Sequence, residues 1–495
     1  MRLMPSRRPS RFRRLAAAVA VSAAVVVPTP GCSRNPATGR VQFMLIDESQ
    51  EIQIGRDGDA EIQKALGTYD ESPAATALVK DVGAKLAAQS ERPHLPWSFQ
   101  ILDDPGVNAF ALPGGWIYVT RGLLAHLNSE DELAAVLGHE IGHVAARHGA
   151  VQLRKTRVAQ STVGLFRVVD PNLRHVGGIA ARTANLALLS YSRSDENQAD
   201  DLSVRYIERG GYDPNAITEV FGVLAAVTNA QPGARTPTWL SSHPEPEARA
   251  SRISANLRAA GVPDGQLQPQ PEYLETIEGL VVGEDPRHGY FVGRSFVHPI
   301  AELTIELPDK WEAAHDDDNV LAFSPDKNAL FLLAPSEEET AKKALEKFFA
   351  DTSVQKGADW AGKVGGFEVE SSAFAVDAGN GRLPGLIAFV EFRGRVLAMV
   401  AIGPEDQWEK LAPAIAETFG SFRHLTDARL RDVPPMRITS LTLTADTTLD
   451  ALEKERPSSV PVATIARLNH VAPDETLPAG RMVKRVNGFN PALLE

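Results

Sequence analysis

The run His139-Glu140-Ile141-Gly142-His143 constrains this chain more than any other stretch. Two imidazoles four residues apart converge on one point when the backbone between them is helical, because residues i and i+4 share a helix face. Such a pair can hold a single metal ion. The glutamate beside the first histidine is then placed to work on a metal-bound water. The bland alternative is a pair of core or solvated histidines, and the rest of the chain has to decide.

The helix has a legible start. Ser129 with Glu132 three residues later predicts a capping box, and Glu130 and Asp131 complement a positive helix N-terminus. Leu133, Leu137, Ile141, Val144 and His148 recur at helical spacing and predict a core-facing stripe, with His139 and His143 on the neighbouring face towards a cleft. Gly138 and Gly142 each weaken a helix by roughly 1 kcal/mol against Ala, which points to close approach of another element or to a packing need. Residues 108–112 and 116–120 alternate as strands across Pro113-Gly114-Gly115 and predict a hairpin. As an edge strand beside the metal, Asn108, Ala109, Phe110 and Ala111 would bind an extended substrate by main-chain pairing.

A catalytic metal needs a third protein ligand and an open position. Tyr191-Ser192-Arg193-Ser194-Asp195-Glu196-Asn197-Gln198-Ala199-Asp200 offers one. A helix is predicted over Asp195–Arg209, closed by Gly210-Gly211. Glu196 and Asp200 share a face. Glu196 can reach the metal, and Asp200 can accept the second ring N–H of a ligand histidine. Two acids on a helix are more often a solvated face; the upstream histidine pair reverses that preference.

HExxH followed by Ser-Arg-x-x-Glu-x-x-Ala-Asp resembles the Ste/Oma-type zinc metalloproteases, metallopeptidase family 48. Asn108-Ala109-Phe110-Ala111-Leu112-Pro113-Gly114-Gly115 resembles that family's strand and turn before the active-site helix. Ser242-His243-Pro244 with Arg249 resembles its His-Pro-x4-Arg element. Asn35-Pro36-Ala37-Thr38-Gly39-Arg40 resembles the N-terminus of its periplasmic BepA/LoiP-like lipoprotein members. The match spans residues 32–260. It implies one Zn2+ per chain on His139, His143 and Glu196, with Asp200 orienting a ligand and Glu140 activating a zinc-bound water. His243 or Arg249 would stabilise the oxyanion. The resemblance equally allows His243 to occupy the open metal position and hold the enzyme shut. His148 and Arg147 match family positions and read as structural, and His126, His175, His298, His315 and His424 as ordinary histidines. The apolar segment 163–190 reads as a lid over the cleft or as a buried helical pair.

The N-terminus reads as an export signal. Six arginines among the first 14 residues precede a 13-residue apolar run, Leu15–Val27, too short for a membrane span. Cys32, the single cysteine, follows Gly31 and resembles the lipid-acceptor residue of a bacterial lipoprotein, although Thr29 and Pro30 depart from the usual pattern. Ser33 after it favours, by the same resemblance, the outer membrane. Losing the leader removes six arginines and no acids, which takes the formal net charge from −12 to −18. So acidic a chain argues against nucleic-acid binding.

The fold class expected is α+β. It comprises a signal peptide over residues 1–31, a tether over 32–45 and a mainly helical metalloprotease domain with a small edge-strand sheet over 46–260. A linker over 261–290, a small α/β domain of unknown role over 291–425 and a compact tail over 434–487 follow. Gly283-Glu284-Asp285-Pro286-Arg287 and Phe296-Val297-His298-Pro299 resemble a segment after the protease in some periplasmic members. The tail, with Thr447-Thr448-Leu449, Ile465-Ala466-Arg467-Leu468-Asn469 and Leu477-Pro478-Ala479-Gly480-Arg481, resembles a LysM-like βααβ module. The usual glycine before the first threonine pair is Asp446, so glycan binding and its loss stay equally open. The expected function is a zinc endopeptidase on the periplasmic face of the outer membrane, anchored through a lipidated Cys32, that degrades misfolded or stalled envelope proteins. The rival is a chaperone or assembly factor with a normally latent protease site. Partners expected are unfolded envelope polypeptides, outer-membrane assembly machinery, and peptidoglycan through the tail.

Overall fold

The computed structural model describes residues 32–35, 37–39, 41–43, 46–152, 191–229, 239, 243–265, 267–316, 319–350, 354–377 and 381–491. The leader, the segment 163–190 with His175, and Ser242 lie outside the described residues.

Strands β1 (Cys32–Arg34) and β2 (Val41–Phe43) pair antiparallel with Cys32 opposite Phe43. Asp47 then opens α1 (Glu48–Leu66) with a reciprocal capping box to Gln50. Ser72 and Pro73 start α2 (Pro73–Ala87). A three-stranded sheet follows: β3 (Ser98–Leu102), β4 (Ala109–Leu112) and β5 (Trp116–Thr120). Its order is β3-β5-β4, parallel between β3 and β5 and antiparallel between β5 and β4, which leaves β4 at the edge. Thr120 caps the short α3 (Arg121–His126).

The histidine run lies on α4 (Glu130–Ala145). Ser129 Oγ accepts from the Glu132 N–H at 3.1 Å, but the Glu132 carboxylate accepts from Asn128 N at 2.6 Å. The expected capping box is therefore half formed. This helix start is buried, and the Asn128 N–H has no water to turn to. Helix α4 stops before His148, so that residue leaves the expected stripe: Arg147 takes φ +60° and turns the chain. Helix α5 (Arg193–Arg209) begins two residues before the expected Asp195 because Ser192 and Asp195 form the box. Helix α6 (Ala216–Asn229) packs on α4 and on α7 (Pro246–Ala259), and α7 also touches α5.

Residues 261–290, expected as a linker, hold α8 (Pro271–Thr276) and a single 3-10 turn over Pro286–His288. Pro271 at the first helical position and the buried Tyr273, Leu274, Ile277 and Leu280 explain the difference.

The 291–425 region is antiparallel throughout rather than α/β. Strands β6 (Tyr290–Val292), β7 (Ser295–His298) and β8 (Leu303–Glu306) are followed by β9 (Glu312–His315), β10 (Val320–Phe323) and β11 (Leu330–Ser336). After α9 (Ala341–Phe348) come β12 (Val354–Val364), β13 (Phe367–Asp377), β14 (Arg382–Phe392) and β15 (Arg395–Ile402), then α10 (Trp408–Gly420) and β16 (Arg423–His424). The larger sheet runs β12-β13-β14-β15-β11-β10-β9 and the smaller β16-β8-β7-β6. Two-residue turns at Gly365-Gly366 and Arg393-Gly394, all with positive φ, force hairpins where crossover helices would be needed for parallel strands.

The tail has β17 (Arg437–Thr442), α11 (Leu449–Glu455), α12 (Val462–Leu468) and β18 (Met482–Asn487), with β17 and β18 antiparallel. Its core is not its own. Ile438, Leu449, Ile465, Leu468, Val483 and Val486 belong to one apolar cluster with Val79, Leu124, Leu137 and Ile141 of the helical region. Backbone bonds from Gly279 N to Ile438 O and from Ile438 N to Leu280 O stitch the intervening segment to β17. No helix among the described residues is long and apolar enough to cross a membrane.

Candidate metal centre and cleft

Helices α4 and α5 cross closely because glycines face the contact. A Cβ at Gly142 would stand 2.9 Å from Ala199 O, and one at Gly138 would stand 2.8 Å from Ser203 Oγ. That approach carries Glu196 to the histidine face of α4. One donor atom each from His139, His143, Glu196 and His243 then lie within 4.8 Å of one another, and all four residues are buried. His139 Nε2 is 3.0 Å from His143 Nε2 and 3.3 Å from His243 Nδ1. Glu196 Oε1 lies 3.0 Å from His243 Nδ1 and 3.4 Å from His143 Nε2.

The surroundings fix these groups. Asp200 Oδ1 sits 3.1 Å from His139 Nδ1, so the ring presents Nε2 to the centre. Arg249 donates to Asp200 from Nε at 3.0 Å and from Nη2 at 2.6 Å, and its Nη1 is 2.7 Å from Glu196 Oε2. With both carboxylates holding it, Arg249 acts here on Glu196 and Asp200. Arg252 adds a second cation at 3.1 Å from Asp200 Oδ2. Burial works against the Asp200 charge, but the bonds from His139 and Arg249 hold its carboxyl well below the usual range. Burial keeps His139 below the ordinary histidine value and pushes His143 and His243 well below it, which leaves neutral rings, the ligating form.

Glu140 is fully buried. Burial, and then the charge of Glu196, pushes it up to about 8. Among the described residues neither of its carboxylate oxygens has a hydrogen-bond partner, nor has His243 Nε2, which lies 3.6 Å from Glu140 Oε1.

Three contacts escaped the sequence reading. His148 Nδ1 comes within 3.1 Å of His143 Nδ1, and its Nε2 meets Gln198 Oε1 at 3.2 Å. It orients the His143 ring from just past the turn at Arg147, where the helical spacing of α4 no longer applies. The Tyr191 ring lies 3.9 Å from that of His143, and the Trp239 ring stacks on His243 at 4.7 Å. For Tyr191 a signal existed: it directly precedes the capping Ser192. Asn108 to Ala111 lie at and along the edge strand β4, and Ala111, Leu112 and Pro113 line a pocket with His143, Arg147 and Tyr191. Cys32 lies in β1.

Residues 73–257 match the model of "Peptidase family M48". A "Mitochondrial metalloendopeptidase OMA1" of Schizosaccharomyces pombe is 30% identical over 233 residues, covering 46% of this chain and 67% of that protein. The chain belongs to peptidase family M48. A "Putative beta-barrel assembly-enhancing protease" of Vibrio cholerae is 31% identical over 250 residues, 48% of this chain and 50% of that one. A "Beta-barrel assembly-enhancing protease" of Escherichia coli K12 is 26% identical over 291 residues, 56% and 55% of the two chains. The chain thus spans about half the length of these two curated relatives.

For an M48 chain the donor set can be tested on its own chemistry. Three buried imidazoles turn nitrogen atoms on one another and on a buried carboxylate, with few protons to share among them. Such convergence is unfavourable without a cation between the lone pairs. The residues present therefore fit a metal ion of nitrogen and oxygen preference.

Proposed function

We propose that this M48 chain is a zinc-dependent endopeptidase acting on misfolded or stalled polypeptides of the cell envelope. The observation that carries the reading is the convergence of His139, His143, Glu196 and His243 beside the unpartnered carboxylate of Glu140. Zinc suits this donor set and, when bound, would polarise the scissile carbonyl and acidify a water.

The chain's own residues supply the rest. Edge strand β4 pairs with the substrate main chain and brings the scissile bond to the centre without reading side chains. Sequence-tolerant capture of this kind suits a misfolded substrate. Glu140 Oε accepts the proton of the attacking water and returns it to the leaving amine. Asp200 and His148 hold His139 and His143 in ring orientation, and Arg249 holds Glu196.

His243 supports a second reading. Its Nδ1 lies among the other donors, so with a metal held there His243 would take the position that a water needs. A closed site of that kind belongs to a latent protease whose daily work is assembly or chaperoning, and the relatives named for beta-barrel assembly fit it. Cleavage of casein and of an unfolded polypeptide by wild type, Glu140→Gln and His243→Ala separates the possibilities. Cleavage that survives Glu140→Gln sinks the mechanism. A gain in His243→Ala supports latency, and a loss gives His243 a catalytic part. The reading places the protein in the periplasm, held at the outer membrane by an acylated Cys32. Acyl labelling of wild type against Cys32→Ser tests the anchor. The βααβ order of the tail supports a LysM-like module, for which pull-down on peptidoglycan is the test.

A further inference from the structure

The segment just after Cys32 was expected to be a tether, yet it is bound into the peptidase region. Asn35 is 2% exposed. Its Nδ2 donates to Ala146 O at 2.7 Å, across 111 residues of sequence, at the C-terminal end of the active-site helix. Its Oδ1 accepts from Ala37 N at 2.9 Å and Thr38 N at 3.0 Å, folding residues 35–39 into a tight turn. Ala37 enters the same apolar cluster as Leu137, Ile141 and Val144. On the far side of the turn, β2 returns to pair with Cys32, so the strand carrying the cysteine is itself fixed. The end of α4 that receives Asn35 also walls the cleft: Val144, Arg147, Gly149 and Ala150 line the pocket shared by His143 and the edge strand.

These contacts set a length. Cys32 is three residues from Asn35, at most about 10 Å of chain. Ala146 is three residues from His143, about 5 Å of helix. Adding the Asn35 side chain, Cys32 stands within roughly 25 Å of the metal centre. A free 14-residue tether would reach about 50 Å.

We propose that the turn Asn35–Gly39 clamps the anchor end of the chain onto the active-site helix, so that an acyl group on Cys32 confines cleavage to polypeptide segments lying at the bilayer surface. The proposal rests on the peptidase and anchor readings above, and its test keeps the three apart. Cys32 is the sole cysteine, so the purified protein can be coupled there to a maleimide lipid and placed on phosphatidylethanolamine–phosphatidylglycerol vesicles, whatever the cell does. The substrate is an unfolded polypeptide anchored to the same vesicles. Its cleavable segment lies either next to the bilayer or beyond a rigid spacer of about 60 Å, the reach that a free tether approaches. Wild type is expected to cut the near segment at least tenfold faster than the far one. Inserting 20 Gly/Ser residues between Cys32 and Ser33 leaves the clamp intact and lengthens the leash, and should bring the two rates within about twofold. Asn35→Ala should move the ratio the same way by releasing the turn. Equal rates in wild type, or an unchanged ratio after the insertion, overturn the proposal. Absence of cleavage even of the free polypeptide, by wild type and by His243→Ala alike, defeats the peptidase reading instead. Reach is then read from photoreactive lipid headgroups, which should label residues 46–152 in wild type and lose that labelling on insertion; equal labelling overturns the proposal.

Discussion

At the scale of single residues, the centre depends on groups that never touch substrate. Asp200 is the test case. It is fully buried, bonds the far side of the His139 ring and is itself held by Arg249 and Arg252. Asp200→Asn keeps the shape but removes the charge that fixes the ring tautomer. Metal affinity, read by chelator competition, is expected to fall about 10- to 100-fold, with the melting temperature changed far less. Unchanged affinity would show that His139 needs no orienting acid. His139, Glu140, His143, Glu196 and Asp200 could be picked out in the sequence because each sits on a helix, where a spacing of four converts directly into a shared face. His148 could not, because it lies past a turn at positive φ. Trp239 went unread although it sits four residues before His243, accepts that residue's N–H at 2.7 Å and stacks on its ring, the same helical spacing.

Among elements, the crossing of α4 and α5 decides whether the third donor arrives. Gly142 lies between the two histidines of its helix, and Ala199 lies between Glu196 and Asp200. Gly142→Ala should improve the intrinsic helix propensity by roughly 1 kcal/mol. It also puts a methyl group 2.9 Å from a backbone carbonyl that cannot swing aside. The clash wins, with a net loss of about 1–3 kcal/mol and a displaced Glu196. Thermal unfolding and metal retention should fall together, and a more stable variant with full metal content would refute the close crossing. The glycines were readable as a sign of close approach, but not the identity of the partner helix. Elements were harder to read where burial is one-sided or absent. Strand β12 exposes most of its length and reads Gln-Lys-Gly-Ala-Asp-Trp-Ala-Gly-Lys, with no alternation to find. It forms because its neighbour β13 and a glycine turn hold it, which is information outside its own residues.

For the whole molecule, the tail behaves as part of the peptidase region. Lys484 of β18 is fully buried and donates to Ala125 O at 2.7 Å and Leu127 O at 2.8 Å, at the end of α3. Glu132 at the start of α4 is the acid that offsets its charge. Lys484→Met would strand two carbonyls and a buried carboxylate, at a cost of about 3–5 kcal/mol. Adding Glu132→Gln should recover part of that loss in a double-mutant cycle. The same junction makes the protein acid-sensitive. His470 Nε2 meets His126 O at 2.6 Å. Burial, together with the Lys484 charge, pushes His126 down to about 4 and His470 down to about 3. Between pH 6.5 and 5 the unfolded chain takes up protons on both rings, while folded His126 and His470, at about 4 and about 3, take up almost none. Glu132, pushed up to about 7 chiefly by burial, takes at most one proton in the folded state over that range, and Lys484 is charged in both states. The unfolded state therefore binds at least one proton more, and the junction's contribution to stability falls by about 1.4 kcal/mol per pH unit on acidification. Denaturant unfolding of wild type and His470→Gln at pH 7 and pH 5 measures this directly. The variant should lose distinctly less stability on acidification. Equal losses would mean that the tail is not fastened to the active-site helix through these groups.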